Sequence, residues 1–120
     1  MATITPTFSR VDGDSGTVKV TWAGMANGDT GLPVYMTENK DRSVQVTGTF
    51  GAGGSVRWEA SNDETNYYPL TDPQGNALDF TTAKIEAVTE VVLASRPRVT
   101  AGDGTTALTV TAIITRPRWE

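Results

Sequence analysis

The chain has 120 residues and a formal net charge of −4, and it contains neither cysteine nor histidine. The length fits one domain with a single core, and the absence of cysteine excludes a disulfide framework and thiolate chemistry. The absence of histidine removes the commonest neutral-pH base and metal ligand, and an acidic chain lacks the basic surface that a phosphate backbone requires. We therefore predict one domain over residues 1–120 and no nucleic-acid partner.

The first ten residues, MATITPTFSR, contain neither the basic nor the apolar region of a secretory signal. Ile4 and Phe8 flank Pro6, which fits either an edge strand or an arm (residues 1–10) that reaches a neighbouring subunit. No apolar run approaches the ~18 residues that a membrane span needs. We expect synthesis in a cytoplasm and no membrane partner.

Alternation of apolar and polar residues with a period of two predicts strands in most of the chain. Successive strand side chains point to opposite faces, so such a segment buries one face and exposes the other. Threonine and valine, which suit a pleated and half-buried surface, dominate these segments. The clearest examples are Thr17–Trp22, Ser43–Phe50, Ser55–Ala60 and Ala107–Thr115. In them we place Trp58, Leu108, Val110 and Ile114 in the core.

The remaining elements are shorter. Leu32–Met36 and Asn66–Leu70 fit short strands, and Val91–Val99 fits a strand that Pro97 places at a sheet edge or at a bulge. The single candidate helix is Thr82–Thr89, of one or two turns.

Turn-forming residues separate the predicted strands. The pair Asp103-Gly104 is the clearest hairpin signal, and it would join Arg98–Ala101 to Thr105–Thr115. Several short strands at close spacing predict an all-β, single-domain antiparallel β-sandwich that is jelly-roll-like, with an immunoglobulin-like sandwich as the alternative.

The chain holds few groups suited to catalysis or metal binding. A nucleophile and base would have to be a Ser–Lys or Thr–amine pair. The carboxylates of Asp63, Glu64, Asp72 and Asp79 mostly lie in turns, where Asp favours local hydrogen bonds. Asp12–Gly16 has the spacing of half a calcium loop without the terminal Glu, so a glycine-rich turn is the preferred interpretation. We predict no enzymatic activity, no metal site and no cofactor.

Surface aromatics and arginines are the candidates for partner contact. Two adjacent tyrosines on a strand must point to opposite faces, so one of them lies near the surface. Pro117 ends the last strand, and residues 116–120 form either a contact segment or a frayed tail that is rich in arginine and tryptophan, types enriched in interface hot spots. The predicted contact residues are Phe8, Arg10, Tyr67, Tyr68, Arg116, Arg118 and Trp119.

Four motifs follow one another across Ser43–Thr115: TGTFGAGG, WEASND, LTDPQGNAL and RPRVTAGDGTTALTV. In this order they resemble small structural proteins of tailed bacteriophage particles, in particular capsid decoration or cement proteins. The resemblance implies a virion protein, made in the cytoplasm of the host bacterium, that binds the outer surface of an HK97-type capsid and stabilises the shell. It also implies the major capsid protein as partner and a homo-oligomer, a dimer or trimer, on the capsid. A head or tail completion protein is the related alternative.

Two segments, Glu59–Tyr67 and Leu93–Arg98, resemble discoidin-like, galactose-binding jelly rolls. In that family a strand ends in a polar Asn/Asp/Gly turn near a tryptophan, and a later strand carries arginines beside an aromatic residue. This chain departs from the pattern because Glu64 stands where glycine is usual, Tyr67 replaces the tryptophan, and no aromatic residue accompanies the arginines. The resemblance implies a jelly-roll topology.

It also leaves open a third function, a carbohydrate- or host-surface-binding module. Such a module would stack a sugar on Tyr67 or Tyr68 and hold it with polar groups such as those of Asn62 and Arg98.

Overall fold

The computed structural model describes residues 2–10, 17–35, 41–88, 90 and 92–115. Over these residues the protein is an all-β sandwich without a helix, which confirms the predicted fold class. The strands are β1 (Thr3–Ile4), β2 (Thr7–Arg10), β3 (Thr17–Met25), β4 (Thr30–Gly31), β5 (Val34–Tyr35), β6 (Asp41–Thr49), β7 (Ser55–Ser61), β8 (Tyr68–Pro69), β9 (Asp79–Phe80), β10 (Lys84–Val88), β11 (Ala94–Ala101) and β12 (Ala107–Thr115).

The strands form two sheets. Sheet A has the order β1-β4-β11-β7-β8, with β5 also pairing with β11 and β9 with β7. Sheet B has the order β10-β6-β12-β3-β2. Among the described strands every pair is antiparallel except β1 with β4.

The order of the strands is that of a jelly roll. Counted from β3, with β4 and β5 as one broken strand and β8 and β9 as another, the chain has eight strands, and it changes sheet at nearly every connection between them. In sheet B the neighbours β3, β12, β6 and β10 are the first, eighth, third and sixth of these strands. This is the order in which two Greek keys wrap around one core. This order favours the jelly roll over the immunoglobulin-like alternative.

The core lies between the two sheets and is built from the inward members of each alternating pattern. Leu108 and Val110 are 0% exposed and Ile114 is 5% exposed, as the periodicity predicted. Trp58 is also buried and packs edge to face on Trp22, with ring centroids 5.6 Å apart. Both sheets thus contribute a tryptophan to the centre of the sandwich.

The predicted helix at Thr82–Thr89 is wrong, because Lys84–Val88 is strand β10. A helix of one or two turns is marginal in water, whereas the open edge of β6 offers a full ladder of backbone partners. Ile85 pairs with Gln45 and Val88 with Arg42 in that ladder. Tertiary pairing therefore overrides a weak helical pattern.

The predicted hairpin around Asp103-Gly104 is also wrong, although the turn itself exists. The turn joins β11 of sheet A to β12 of sheet B, so its two flanking strands do not pair with each other. The carboxylate of Asp103 accepts a hydrogen bond from the backbone of Ala52 at 2.9 Å, and the hydroxyl of Thr106 donates to the carbonyl of Phe50 at 2.8 Å. Two turns that cross between the sheets are thereby tied together.

Pro97 lies in an interior strand, so its predicted place at an edge is wrong. The backbone of Trp58, opposite Pro97, bonds to Leu78 and Leu70 on the far side of β7. The nitrogen of Pro97 consequently faces the gap between β4 and β5, where no ladder bond is lost. The other predicted possibility was a bulge, and the register of β11 with β7 does shift nearby, between Val99 and Ala101.

The N-terminal residues pair with their own domain. Strand β1 forms one edge of sheet A and β2 forms one edge of sheet B, with buried Pro6 between them. Of the two interpretations of this segment, the described residues 2–10 fit the edge strand. In the part of the chain that the structure describes, no helix is long and apolar enough to cross a membrane.

Candidate functional site

The outer face of sheet A gathers tyrosine and arginine side chains around one buried carboxylate. The register of β7 and β11 places Arg96 opposite Glu59 and Arg98 opposite Arg57, on the side that faces away from the core. Tyr35 of β5 pairs with Ala94, which lies on the same side of β11 as Arg96 and Arg98. We call the set Tyr35, Arg57, Glu59, Tyr67, Arg96 and Arg98 the Tyr/Arg face.

Glu59 is the centre of this face. Its side chain is only 2% exposed, and its Oε1 accepts from the Nε of Arg96 at 2.9 Å and from the Nε of Arg98 at 3.1 Å. A buried carboxylate is tolerable only when it is paired and hydrogen-bonded, so the two arginines satisfy Glu59. Both guanidinium groups are held through Nε, and their terminal Nη groups bond to no other described residue.

Two further contacts fix the cations of this face. The guanidinium carbon of Arg96 lies 3.7 Å from the centroid of the Tyr67 ring, a cation–π contact. The Nε of Arg57 donates to Asp79 at 3.0 Å. All three arginines are therefore oriented before any partner arrives.

Tyr35 lies at the rim of the Tyr/Arg face and is 60% exposed. Its hydroxyl donates to the carboxylate of Glu64, and this hydrogen bond to an anion raises the pKa of Tyr35. Glu64 has φ of 63°, a left-handed conformation that glycine adopts without strain. The glycine expected from the discoidin-like pattern is thus replaced by a strained glutamate that contacts Tyr35.

The turn before Tyr67 is organised by Asp63. Its Oδ1 accepts from the backbone of Asn66 at 2.8 Å, from the hydroxyl of Ser61 at 2.7 Å and from the backbone of Thr65 at 2.9 Å. These bonds, the one from Asn66 first, hold the pKa of Asp63 far below its usual range. Among the described residues no group of acidic side chains could hold a metal ion, and the carboxylate of Asp72 bonds within its own turn.

A groove of about 360 Å³ lies beside this turn. Its walls include polar Asn62, Asp63 and Asn66 and the ring of Tyr68, which is 68% exposed. The Oδ1 of Asn62 accepts from the backbone of Leu93 at 2.9 Å, while its Nδ2 bonds to no described residue. The groove therefore combines an accessible aromatic ring with an available amide donor.

The predicted contact residues are separated in the structure. Tyr67 is half-buried under Arg96 and Tyr68 is exposed at the groove. Phe8, 62% exposed, and Arg10 lie on β2 at the edge of sheet B, away from the Tyr/Arg face. Arg116, Arg118 and Trp119 lie outside the described residues, as does Asp12–Gly16.

Sequence reasoning missed most of the Tyr/Arg face. Arg57 with Glu59, and Arg96 with Arg98, are spaced two residues apart and so share one face of a strand. That spacing was the available signal. What the sequence lacks is the register that brings Arg96 to Glu59 across 37 positions.

No known family model matches the chain, and no curated protein matches it either. Among solved structures the fold is similar to that of the SPBc2 prophage-derived protein YomS, with a TM-score of 0.64. The two sequences are 12% identical, and the likeness covers 84% of this chain and 96% of YomS. A likeness at this identity concerns the fold, and it extends over nearly the whole of a prophage-derived domain.

Proposed function

We propose that this protein is a structural component of a tailed-phage virion that binds the outer surface of an HK97-type capsid as a decoration protein. The observation that carries the proposal is the Tyr/Arg face, with three arginines fixed in place beside two tyrosines. Tyrosine and arginine are enriched among the residues that dominate the affinity of protein interfaces. Orientation before binding lowers the entropy cost of association.

The chemistry of the face indicates what the capsid would supply. The Nη groups of Arg96 and Arg98 are donors without partners among the described residues, and each guanidinium can bind a carboxylate or carbonyl group. The major capsid protein would therefore present acidic side chains or carbonyl oxygens. Phe8 and Arg10, which lie on β2 away from this face, stay predicted contacts, as do Arg116, Arg118 and Trp119.

Two lines of support come from outside the face. The fold is like that of a prophage-derived protein over most of both chains. The motif order in Ser43–Thr115 resembles that of small virion proteins. A rigid sandwich also presents a fixed surface, and many copies would bind only the assembled lattice, which stabilises the shell by mass action.

Co-sedimentation with empty, mature capsids of the phage that encodes the chain tests the proposal. We expect saturable pelleting at a fixed ratio to the major capsid protein. Tyr35→Ala and Arg98→Ala should reduce pelleting at least tenfold, whereas Thr82→Ala, at an exposed position between β9 and β10, should not. Each variant is first checked for a cooperative unfolding transition well above the assay temperature.

Absence of pelleting by the wild-type protein would refute capsid decoration. Assembly into a ring of defined stoichiometry, seen by negative-stain microscopy, would then indicate a head or tail completion protein. Pelleting that both face variants retain would show that another surface makes the contact.

A second candidate function is carbohydrate or host-surface binding, and the groove beside Tyr68 favours it. An exposed ring can stack on a sugar while Asn62 and Asn66 bond to its hydroxyls. A glycan array followed by calorimetry tests this candidate without capsids. Binding that Tyr68→Ala abolishes and Tyr35→Ala retains would support it, and an array without signal would reject it.

A further inference from the structure

The outer face of sheet B is rich in threonine and poor in charged side chains. The register of the strand pairs defines two rows of outward-pointing side chains that cross all five strands of this sheet. The first row is Thr7, Thr21, Thr111, Gln45 and Ile85, and the second is Ser9, Lys19, Ile113, Ser43 and Ala87. Thr47, Thr49, Ala107 and Thr109 extend the face. We call this surface the Thr face.

Charge is nearly absent from the Thr face. Lys19 is its only charged residue among the described side chains, although 20% of the whole chain is charged. An outer strand face that meets only water usually carries interspersed charges, which keep it soluble and block unwanted association. Depletion of charge is instead typical of the centre of a protein interface.

The size of the Thr face fits a specific interface. Five strands about 4.8 Å apart, the longest about nine residues with a rise of about 3.3 Å, give a surface of roughly 600 Å² in projection. Because side chains make the surface uneven, its accessible area is larger than this projection. It approaches the area of about 800 Å² that each partner buries in an interface of standard size. The face is large enough to hold a stable dimer.

The chemistry of the face identifies the partner as a second copy of this chain. In a two-fold interface the same patch lies on both subunits, so it must be complementary to itself. A threonine hydroxyl is both donor and acceptor, and β-branched side chains of facing sheets interdigitate. The Tyr/Arg face would instead place like charges opposite each other, which suits a foreign, acidic partner.

We infer that two copies of the protein pack face to face through the Thr faces of their B sheets, around the central strand β12. Thr111 lies at the middle of the first row, on the central strand of the sheet. The Tyr/Arg face belongs to the opposite sheet and stays accessible in such a dimer. The inference does not depend on capsid binding, because it concerns the purified protein alone.

Sedimentation velocity of the full chain tests this inference. The wild-type protein should sediment as a dimer at micromolar concentration. Thr111→Arg places two unpaired charges at the middle of the interface and should weaken self-association by about 100-fold or more. Thr3→Arg, an exposed position on β1 of the other sheet, is the matched control and should stay dimeric.

Cross-linking supplies a second readout that does not depend on the stability of a charged variant. The chain has no cysteine, so a single Thr111→Cys substitution introduces the sole thiol. With a short bis-maleimide cross-linker Thr111→Cys should form a covalent dimer and Thr3→Cys should not, because facing sheets lie about 10 Å apart, beyond the reach of a direct disulfide. A wild-type protein that is monomeric up to about 100 µM, or a dimer that Thr111→Arg leaves intact and Thr111→Cys fails to cross-link, would overturn the inference.

A monomer in solution that loses capsid pelleting on Thr111→Arg would also overturn it, since the Thr face would then contact the capsid. Failure of capsid binding by a protein that still dimerises would affect only the proposed function. The two results are therefore separable.

Discussion

The guanidinium of Arg96 is held between the ring of Tyr67, 3.7 Å from its centroid, and the carboxylate of Glu59, 2.9 Å from its Nε. One side chain thus satisfies a buried anion and covers an aromatic ring. This relationship links the interior of sheet A to its proposed contact surface. Changes at Glu59 should therefore affect both stability and binding.

Glu59→Gln should destabilise the fold. The substitution removes the buried negative charge that pairs Arg96 and Arg98, and breaking a buried ion pair typically costs about 3 kcal/mol or more. Because both arginines keep partial access to water, we expect about 2–3 kcal/mol in urea unfolding. Glu86→Gln, which disrupts the exposed pair with Lys84, should cost less than about 0.5 kcal/mol. Equal effects of the two substitutions would contradict this assignment.

Val110→Asp tests the sandwich itself. Val110 is 0% exposed, so an aspartate there would be an unpaired buried charge, and we expect a loss of about 4 kcal/mol or failure to fold. Thr109→Asp on the outer side of the same strand should cost less than about 1 kcal/mol. A melting temperature that Val110→Asp leaves unchanged would be incompatible with the fold.

Glu64→Gly should stabilise the protein. A non-glycine residue at φ of 63° costs about 1 kcal/mol, and the exposed hydrogen bond to Tyr35 offsets little of this cost. We expect a gain of about 0.5–1 kcal/mol in chemical unfolding. Thr65→Gly in the same turn, where φ is not positive, should instead destabilise. A loss of stability in Glu64→Gly would mean that the contact with Tyr35 outweighs the strain.

The tie between the crossing turns should be sensitive to acid. Hydrogen bonds from Thr105 and Ala52 lower the pKa of Asp103 from 3.8 to about 2. Because the folded pKa lies below the unfolded one, the stabilisation is complete above about pH 4 and is lost as the pH falls towards 2. The melting temperatures of wild type and Asp103→Asn should therefore differ at pH 6 and converge near pH 2. A difference that is constant between pH 6 and pH 2 would contradict this role of Asp103.

The sequence could predict the features that local pattern determines. Alternation placed Val110 and Trp58 in the core, because a half-buried strand leaves a period of two. It failed at Lys84–Val88, where a free sheet edge decides the conformation. It also failed at Asp103-Gly104, because turn residues specify a reversal of the chain and not whether the flanking strands pair. The strand register could not be predicted either, because it depends on which strands pair and not on local pattern.

The candidate site likewise contains residues that local pattern could predict and residues that it could not. Tyr67 and Tyr68 could be singled out as adjacent aromatics, one of which had to be exposed. Glu59 and its arginines could not, since their contacts arise from the pairing of β7 with β11. A charged residue on an alternating strand indicates a solvent-facing position, and only the pairing shows that Glu59 is covered by Arg96 and Arg98.

Cryo-electron microscopy of capsids saturated with the protein is the most direct test of capsid decoration through the Tyr/Arg face. We expect density on the outer surface of the shell, with sheet A facing the capsid and Arg96, Arg98 and Tyr35 at the contact. A bare shell, or bound density in which the Tyr/Arg face points away from the capsid, would contradict it.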